Sequence, residues 1–385
     1  MATSGARERL APIDGLRGVA AAMVVLFHVY LNTPQPDLGI VRAGFLSLQS
    51  GVDLFFVLSG FCLFYPYTRP GASFAWRAFS VRRARRIFPA YYAALCMTIL
   101  LPFLIVPMAR WAGLIATEAP WPAWEQLWTH LLLVHTLFPN TFLGLDSPMW
   151  SLGIEAQFYL LFPLAVWLAR RFDWRGIGLL VGISLLYRLQ VTATAHAHAT
   201  GIYLGPMNMT IRVDANLFIG RWMEFGMGMW CALAVRRRAA SGVLRQLEWP
   251  LLAVALLLYA AAQVYAGGGP DRWIPPWDDI LFGSPFSIVL CISCSSGSSV
   301  GRLLSHRCLL WLGSISYSLY LVHLPILGGL KPSLMRLGYG GIASIAAVAA
   351  MGIPLSLAAA ALFWHLFERP FLRSPVRQDV AQTPA

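Results

Sequence analysis

Charge is what this chain has least of. Only 12% of its 385 residues are Asp, Glu, Lys or Arg, about half the usual share in a soluble domain. With 58% hydrophobic residues and a mean hydropathy of +0.62, that scarcity excludes a water-soluble enzyme of this length. Lysine is all but missing: Lys331 is the single one among 29 basic residues. The formal net charge of +12 therefore rests on arginines, and these gather in short loops between apolar runs, which argues against a nucleic-acid partner. Cysteine is also sparse. The six (62, 96, 231, 291, 294, 308) lie in or beside apolar segments. The CxxC of Cys291 and Cys294 has neither a second pair nor nearby histidines, so no metal or redox centre is expected. The HAH of 196–198 lacks an acidic partner, and no metal is expected there either. No repeat, low-complexity tract, cleavable leader or appended soluble domain is legible.

What is present is a series of long apolar runs: 18–33, 48–68, 87–109, 149–169, 176–191, 214–235, 249–266, 280–299, 308–330 and 341–367. The expected fold class is all-α, a polytopic membrane bundle of about ten transmembrane helices. Threading the runs alternately places 21 of the 29 basic residues on one side and seven on the other. The positive-inside rule then puts both termini in the cytoplasm of a cell whose inner membrane holds the chain. Residues 127–138 are apolar but too short to cross, and leaving them out keeps Arg170, Arg171 and Arg175 inside; they are expected to be re-entrant or interfacial. One integral-membrane domain is expected over 1–370, followed by a short disordered cytoplasmic tail over 371–385.

Ionisable residues interrupt these runs. His28 stands alone in GVAAAMVVLFHVYL (18–31), eleven residues after Arg17. Along one helix that spacing is roughly 16 Å, about half the hydrocarbon thickness. A polar group at that depth costs several kcal/mol unless partnered, so His28 either bonds to a neighbouring helix or marks a site. Asp53 lies in GVDLFFVLSGF (51–61), ahead of Ser59, and is equally open to a structural or a functional role. Arg221 and Glu224 are three apart and can neutralise one another on one helix face. His323 lies in SISYSLYLVHLP (314–325), where an internal hydrogen bond is the simpler reading. Glu155, in MWSLGIEAQFYL (149–160), has nothing in its own helix to neutralise it and is expected to pair with His28. In WRAFSVRRARRIFPAYY (76–92) the arginines exceed what orientation requires; anionic lipid headgroups or a phosphorylated cytosolic cosubstrate would each explain the surplus.

The order of these segments resembles the acyltransferase 3 family, membrane O-acyltransferases that modify polysaccharides, peptidoglycan, Nod factors and macrolides. IDGLRGVAAAMVVLFH (13–28), GVDLFFVLSGF (51–61), RRARRIFPAYY (82–92), WSLGIEAQFYLLFP (150–163), GSISYSLYLVHLP (313–325) and FERPF (367–371) resemble its motifs in order through nearly the whole chain. The resemblance implies transfer of an acyl group, acetyl first among them, from a cytoplasmic acyl-CoA to a hydroxyl of a glycan, glycolipid or small molecule, with no permanently bound cofactor. It implies His28 and Glu155 as catalytic residues and Arg17, Arg83 and Arg86 as donor-binding residues. Asp14, Asp53, Ser59, Trp150, Ser151, Tyr317 and His323 would support them, with Ser59, Ser151 and Tyr317 among the candidate oxyanion donors. Direct transfer and an acyl–His28 intermediate both remain open, as does the side from which the acceptor arrives. A multi-span transporter or flippase is the alternative, but it would show paired halves with corresponding broken helices, and the motifs of 1–165 do not recur after 210. A receptor or scaffold would leave Arg17, His28 and Glu155 unexplained.

Overall fold

The computed structural model describes residues 10–33, 40–111, 121–193, 201–204, 209–238, 242–266 and 278–372. In chain order the helices are α1 (Ala11–Leu31), α2 (Ile40–Ser47), α3 (Gly51–Phe64), α4 (Trp76–Trp111), α5 (Trp124–Leu131), α6 (Trp150–Phe172) and α7 (Trp174–Ala193). They continue as α8 (Phe218–Arg238), α9 (Val243–Gln246), α10 (Glu248–Ala266), α11 (Asp278–Ser293), α12 (Ser299–Leu304), α13 (Arg307–Ser314), α14 (Ser316–Arg336), α15 (Gly341–Phe363) and α16 (Arg369–Leu372). The fold is an all-α membrane bundle. It carries one departure from the helical expectation, a two-stranded antiparallel hairpin of β1 (Gly201–Leu204) and β2 (Met209–Arg212) in the connection after α7. The histidines of 196–198 and the tail from 373 onward lie outside the described residues.

Every predicted span carries a helix, but not every one is a full crossing by its own length and composition. Among the described residues, six helical stretches are long and apolar enough, and a seventh is counted if α13 and α14, bent by 72°, form one broken span. α10 and α11 are apolar but shorter, and α8 carries Arg221, Glu224 and three arginines at its end. α1 begins seven residues before its apolar run, because Asp14 and Arg17 continue the same helix after Pro12 opens it. Residues 127–138 do not form a span: α5 gives two turns, and a 3₁₀ turn follows at His135–Leu137.

Two close helix crossings set the geometry around the centre. A Cβ on Gly60 of α3 would fall 2.0 Å from the Phe225 carbonyl oxygen of α8, and one on Gly228 of α8 would fall 2.0 Å from that of Val57. These helices touch backbone to backbone, as small residues allow where lipid provides no hydrophobic drive. At the Arg17 end of α1 a Cβ on Gly313 would fall 1.8 Å from the Asp14 carbonyl oxygen, which seats α1 on α13. α1 lies centrally as a result, with Leu16, Ala20, Val24 and Tyr30 all buried.

Candidate active site

α1, α3, α4, α6 and α14 surround a polar cavity. Arg17, Ser59, Arg86, Ser151, Glu155, Tyr159, Ser316, Tyr317 and Tyr320 line it, and Phe55, Phe56, Ile87 and Leu152 close its apolar walls. Its volume is about 60 Å³, room for a few water molecules. Arg17 and Arg86 line it at the end where α1 begins.

Glu155 is the hub of the cavity. Its Oε1 accepts from Ser59 Oγ on α3 at 2.7 Å and from Tyr159, one turn along α6, at 2.5 Å. Arg83 does not line the cavity; its guanidinium lies over the rings of Phe79 and Tyr159, 5.7 and 5.8 Å from their centroids. Tyr317 donates to the Ile87 carbonyl at 3.1 Å, tying α14 to α4 beside Arg86. Buried Glu368, in the π-helical turn at Trp364–Glu368, accepts from Ser318 at 2.8 Å on the next face of α14.

The far wall is Tyr320. Its hydroxyl donates to the Pro148 carbonyl at 2.8 Å and lies 2.7 Å from Ser151 Oγ. Directly beyond it, 6.0 Å between ring centroids, is His323. His323 is fully buried, and its Nε2 lies 3.2 Å from Nδ1 of half-buried His28. The expected pairing of Glu155 with His28 is therefore corrected. Glu155 bonds to Ser59 and Tyr159, whereas His28 bonds to Val24 and His323. The reason is position along α6: Glu155 lies a turn and more inside Ser151, on the arginine side of Tyr320.

Besides Arg83 and the two histidines, three more sequence candidates stand apart from the cavity. Asp53 pairs with Arg221, Oδ1 to Nη1 at 2.7 Å, and the same Nη1 meets Glu224 at 2.7 Å and Asn216 takes the rest of the fork. Arg221 thus holds α3 to α8 and is shared by two carboxylates, which extends the expected intrahelical pair to a cluster. Trp150 packs against this cluster, with the Arg221 guanidinium 5.5 Å from its ring centroid. Asp14 sits in the first turn of α1 at the Gly313 crossing.

Tyr159, Tyr320 and Ser316 were not among the sequence candidates. Tyr159 was findable, since i and i+4 share a helix face; Tyr320 and Ser316 become polar lining only through the direction in which α14 packs. Among the described residues, no three His, Cys, Asp or Glu side chains gather as a metal site.

Outside the spans, two further histidines are stacked at 4.1 Å between centroids: His130 and His135, both fully buried. His130 bonds to the Gln126 and Gly144 carbonyls at 2.8 and 3.0 Å, and His135 Nε2 to that of Met149 at 3.1 Å. Burial lowers both, His135 to about 3 with His130 contributing. They brace the segment before α6. Nearby Asp146 is buried and pushed up to about 7 by desolvation.

The chain is 27% identical over 332 residues to the O-acetyltransferase OatA of Staphylococcus aureus (strain NCTC 8325 / PS 47), covering 82% of this chain and 50% of that protein. It is 27% identical over 334 residues to the putative peptidoglycan O-acetyltransferase YrhL of Bacillus subtilis (strain 168), covering 82% and 48%. The chain thus spans about half the length of these two relatives. Against the acyltransferase MdmB of Streptomyces mycarofaciens it is 28% identical over 401 residues, covering 98% of this chain and 95% of that protein. No solved structure matches. Residues 10–364 match the family described as an acyltransferase domain, a stretch that takes in every element lining the cavity, and the chain therefore belongs to the acyltransferase 3 family.

Proposed function

We propose that this chain is an integral-membrane O-acyltransferase that moves an acyl group, acetyl by preference, from cytoplasmic acyl-CoA to a hydroxyl of a glycan, glycolipid or small molecule. The observation that carries the reading is one cavity with Arg17 and Arg86 at its cytoplasmic end and the His28–His323 pair behind its Tyr320 wall. Arginines suit the phosphates of CoA, which they grip with paired N–H donors. Acetyl is preferred because two of the relatives are O-acetyltransferases, one of them putative. The acceptor class is supported by relatives such as the putative peptidoglycan O-acetyltransferase YrhL.

The chemistry needs a base, because a hydroxyl is a poor nucleophile at neutral pH. In the direct route, His28 Nε2 takes the acceptor's proton while its oxygen attacks the thioester carbon. The carbon–sulfur bond breaks, and the leaving thiolate takes the proton back from the imidazolium to give free CoA thiol. The carbonyl oxygen turns negative on the way and needs a donor; the hydroxyls of Ser151, Tyr317 and Tyr320 at the cavity wall serve it only by releasing their present carbonyl partners, Pro148 and Ile87. Tyr320 must yield for thioester and base to meet. An acyl–His28 intermediate uses the same atoms in two steps. The proposal places the chain in the inner membrane with both termini cytoplasmic, as one domain over 1–370 with a tail over 371–385, and assigns it no resident cofactor.

The test is transfer itself. Membranes carrying the chain are incubated with radiolabelled acetyl-CoA and host glycan and lipid extracts, beside a His28→Ala control. Label entering an extractable product only with His28 intact is the expected result. No transfer from acetyl-CoA or a longer acyl-CoA, with both proteins folded, sinks the proposal and favours a transporter.

A further inference from the structure

The hydrogens of the His28–His323 pair can be placed from the carbonyls around it. The Val24 carbonyl oxygen lies 2.9 Å from His28 Nδ1, and the Leu319 carbonyl oxygen lies 2.9 Å from His323 Nδ1. A carbonyl oxygen only accepts, so each Nδ1 carries a hydrogen. In neutral rings both Nε2 atoms then keep their lone pairs. His323 Nε2, 3.2 Å from His28 Nδ1, faces it as an acceptor, and the hydrogen is shared with the Val24 carbonyl. One lone pair is left over, on His28 Nε2, and the described residues place no partner on it.

We propose that His323 is a positioning residue for acyl transfer: it fixes the His28 ring with hydrogen on Nδ1 and so presents Nε2 as the base. This rests on the reading of His28 as base under the proposed function. The Val24 carbonyl alone, one turn back on the same helix, leaves the imidazole plane free to turn. A second acceptor from α14 fixes that plane, because His323 is itself pinned by Leu319 and fully buried. The bond also strengthens at the right moment. When Nε2 takes the acceptor's proton the His28 ring becomes positive, and a hydrogen bond from a cation is about twice as strong as a neutral one. A contact that tightens only as charge develops speeds the chemical step rather than substrate binding. An aspartate would do the same with more force, but an unpaired carboxylate at this depth would have to be desolvated. A neutral imidazole supplies the lone pair without the charge.

The experiment uses the full chain in nanodiscs, with radiolabelled acetyl-CoA as donor and total host glycan and lipid extract as acceptor. His323→Leu removes the lone pair, whereas His323→Gln returns an acceptor oxygen near the place of Nε2. Outer-shell partners of this kind are worth about 10- to 100-fold. The leucine variant is expected to lose that much in maximal rate with its KM for acetyl-CoA within about twofold, and glutamine to restore most of the loss. ¹⁵N-histidine spectra of the unaltered chain, with His28 assigned by its absence from His28→Ala, are expected to show hydrogen on Nδ1 and none on Nε2. A leucine variant with full maximal rate, a folded but inactive glutamine variant, or a His28 carrying its hydrogen on Nε2 would each overturn the proposal. If the leucine variant does not fold, the glutamine variant and the spectrum still decide. Transfer that survives His28→Ala would instead overturn the base reading, which separates the two failures.

Discussion

Ser59 of α3 and Tyr159 of α6 donate to the same oxygen of Glu155, Oε1, at 2.7 and 2.5 Å. Hydrogen bonds to a charged acceptor contribute about 1.5–3 kcal/mol each. Because they share one atom, either donor partly compensates for loss of the other, so removing both is expected to weigh more than the sum of removing each. Ser59→Ala, Tyr159→Phe and the double variant, followed by thermal unfolding in detergent, form the cycle that measures this. Strictly additive shifts would show that the two bonds act independently.

Arg86 and Arg17 are expected to govern donor binding rather than the chemical step. Arg86→Lys keeps the charge and loses the planar fork. A loss of about 1.4 kcal/mol or more in phosphate contact raises the KM for acetyl-CoA by tenfold or more. Initial rates over a range of acetyl-CoA check it, and an unchanged KM with a reduced maximal rate would move these arginines away from the phosphates.

The α3–α8 crossing tolerates no side chain at Gly60, where a Cβ would meet the Phe225 carbonyl oxygen at 2.0 Å. Gly60→Ala is expected to destabilise the protein by about 1–3 kcal/mol or more. Gly44→Ala, with nothing within 4 Å of the added carbon, is the control expected to leave stability unchanged or slightly improved. Equal melting temperatures for the two variants would refute the close crossing.

Asp53 is expected to matter for stability and not for donor affinity. It shares the Arg221 guanidinium with Glu224 at 2.7 Å each, and breaking a largely buried pair costs about 3 kcal/mol or more. Asp53→Ala should lower the melting temperature and leave the KM for acetyl-CoA unchanged. A raised KM with an intact melting temperature would bring Asp53 into the donor site.

Asp146 gives stability a pH dependence of definite sign. Burial raises its carboxyl from 3.8 to about 7, so the folded state holds a proton that the unfolded state has released. Its contribution is fully present below about pH 4 and is lost as pH rises through about 7. Asp146→Asn should therefore flatten the stability profile between pH 4 and 7 and melt higher than the unaltered chain at pH 8. A profile equally steep with asparagine would assign the dependence to another group.

Features that follow from one helix's own periodicity were legible in the chain. Apolar runs and the arginine bias located every helix from α1 to α15 that the bundle uses as a span. The Arg221–Glu224 pair was readable because residues three apart share a face. The same reasoning failed for Glu155 and His28, since nothing within α1 or α6 says which faces of two helices meet or how far each is slid along the other. His130 and His135 likewise look like polar intrusions in an apolar stretch until the carbonyls of Gln126, Gly144 and Met149 satisfy them.

By itself the sequence determined a membrane bundle and the placing of Arg17 and His28 at different depths of one helix, because rise and period per residue are constants of the α-helix. Only the tertiary structure decided that His28 meets His323, 295 residues away, that Ser59 meets Glu155, 96 away, and that Asp53 meets Arg221, 168 away. Those pairings depend on the rotation and sliding of helices against each other, which are set where glycines such as Gly60, Gly228 and Gly313 let backbones touch and the remaining side chains must then fill what space is left.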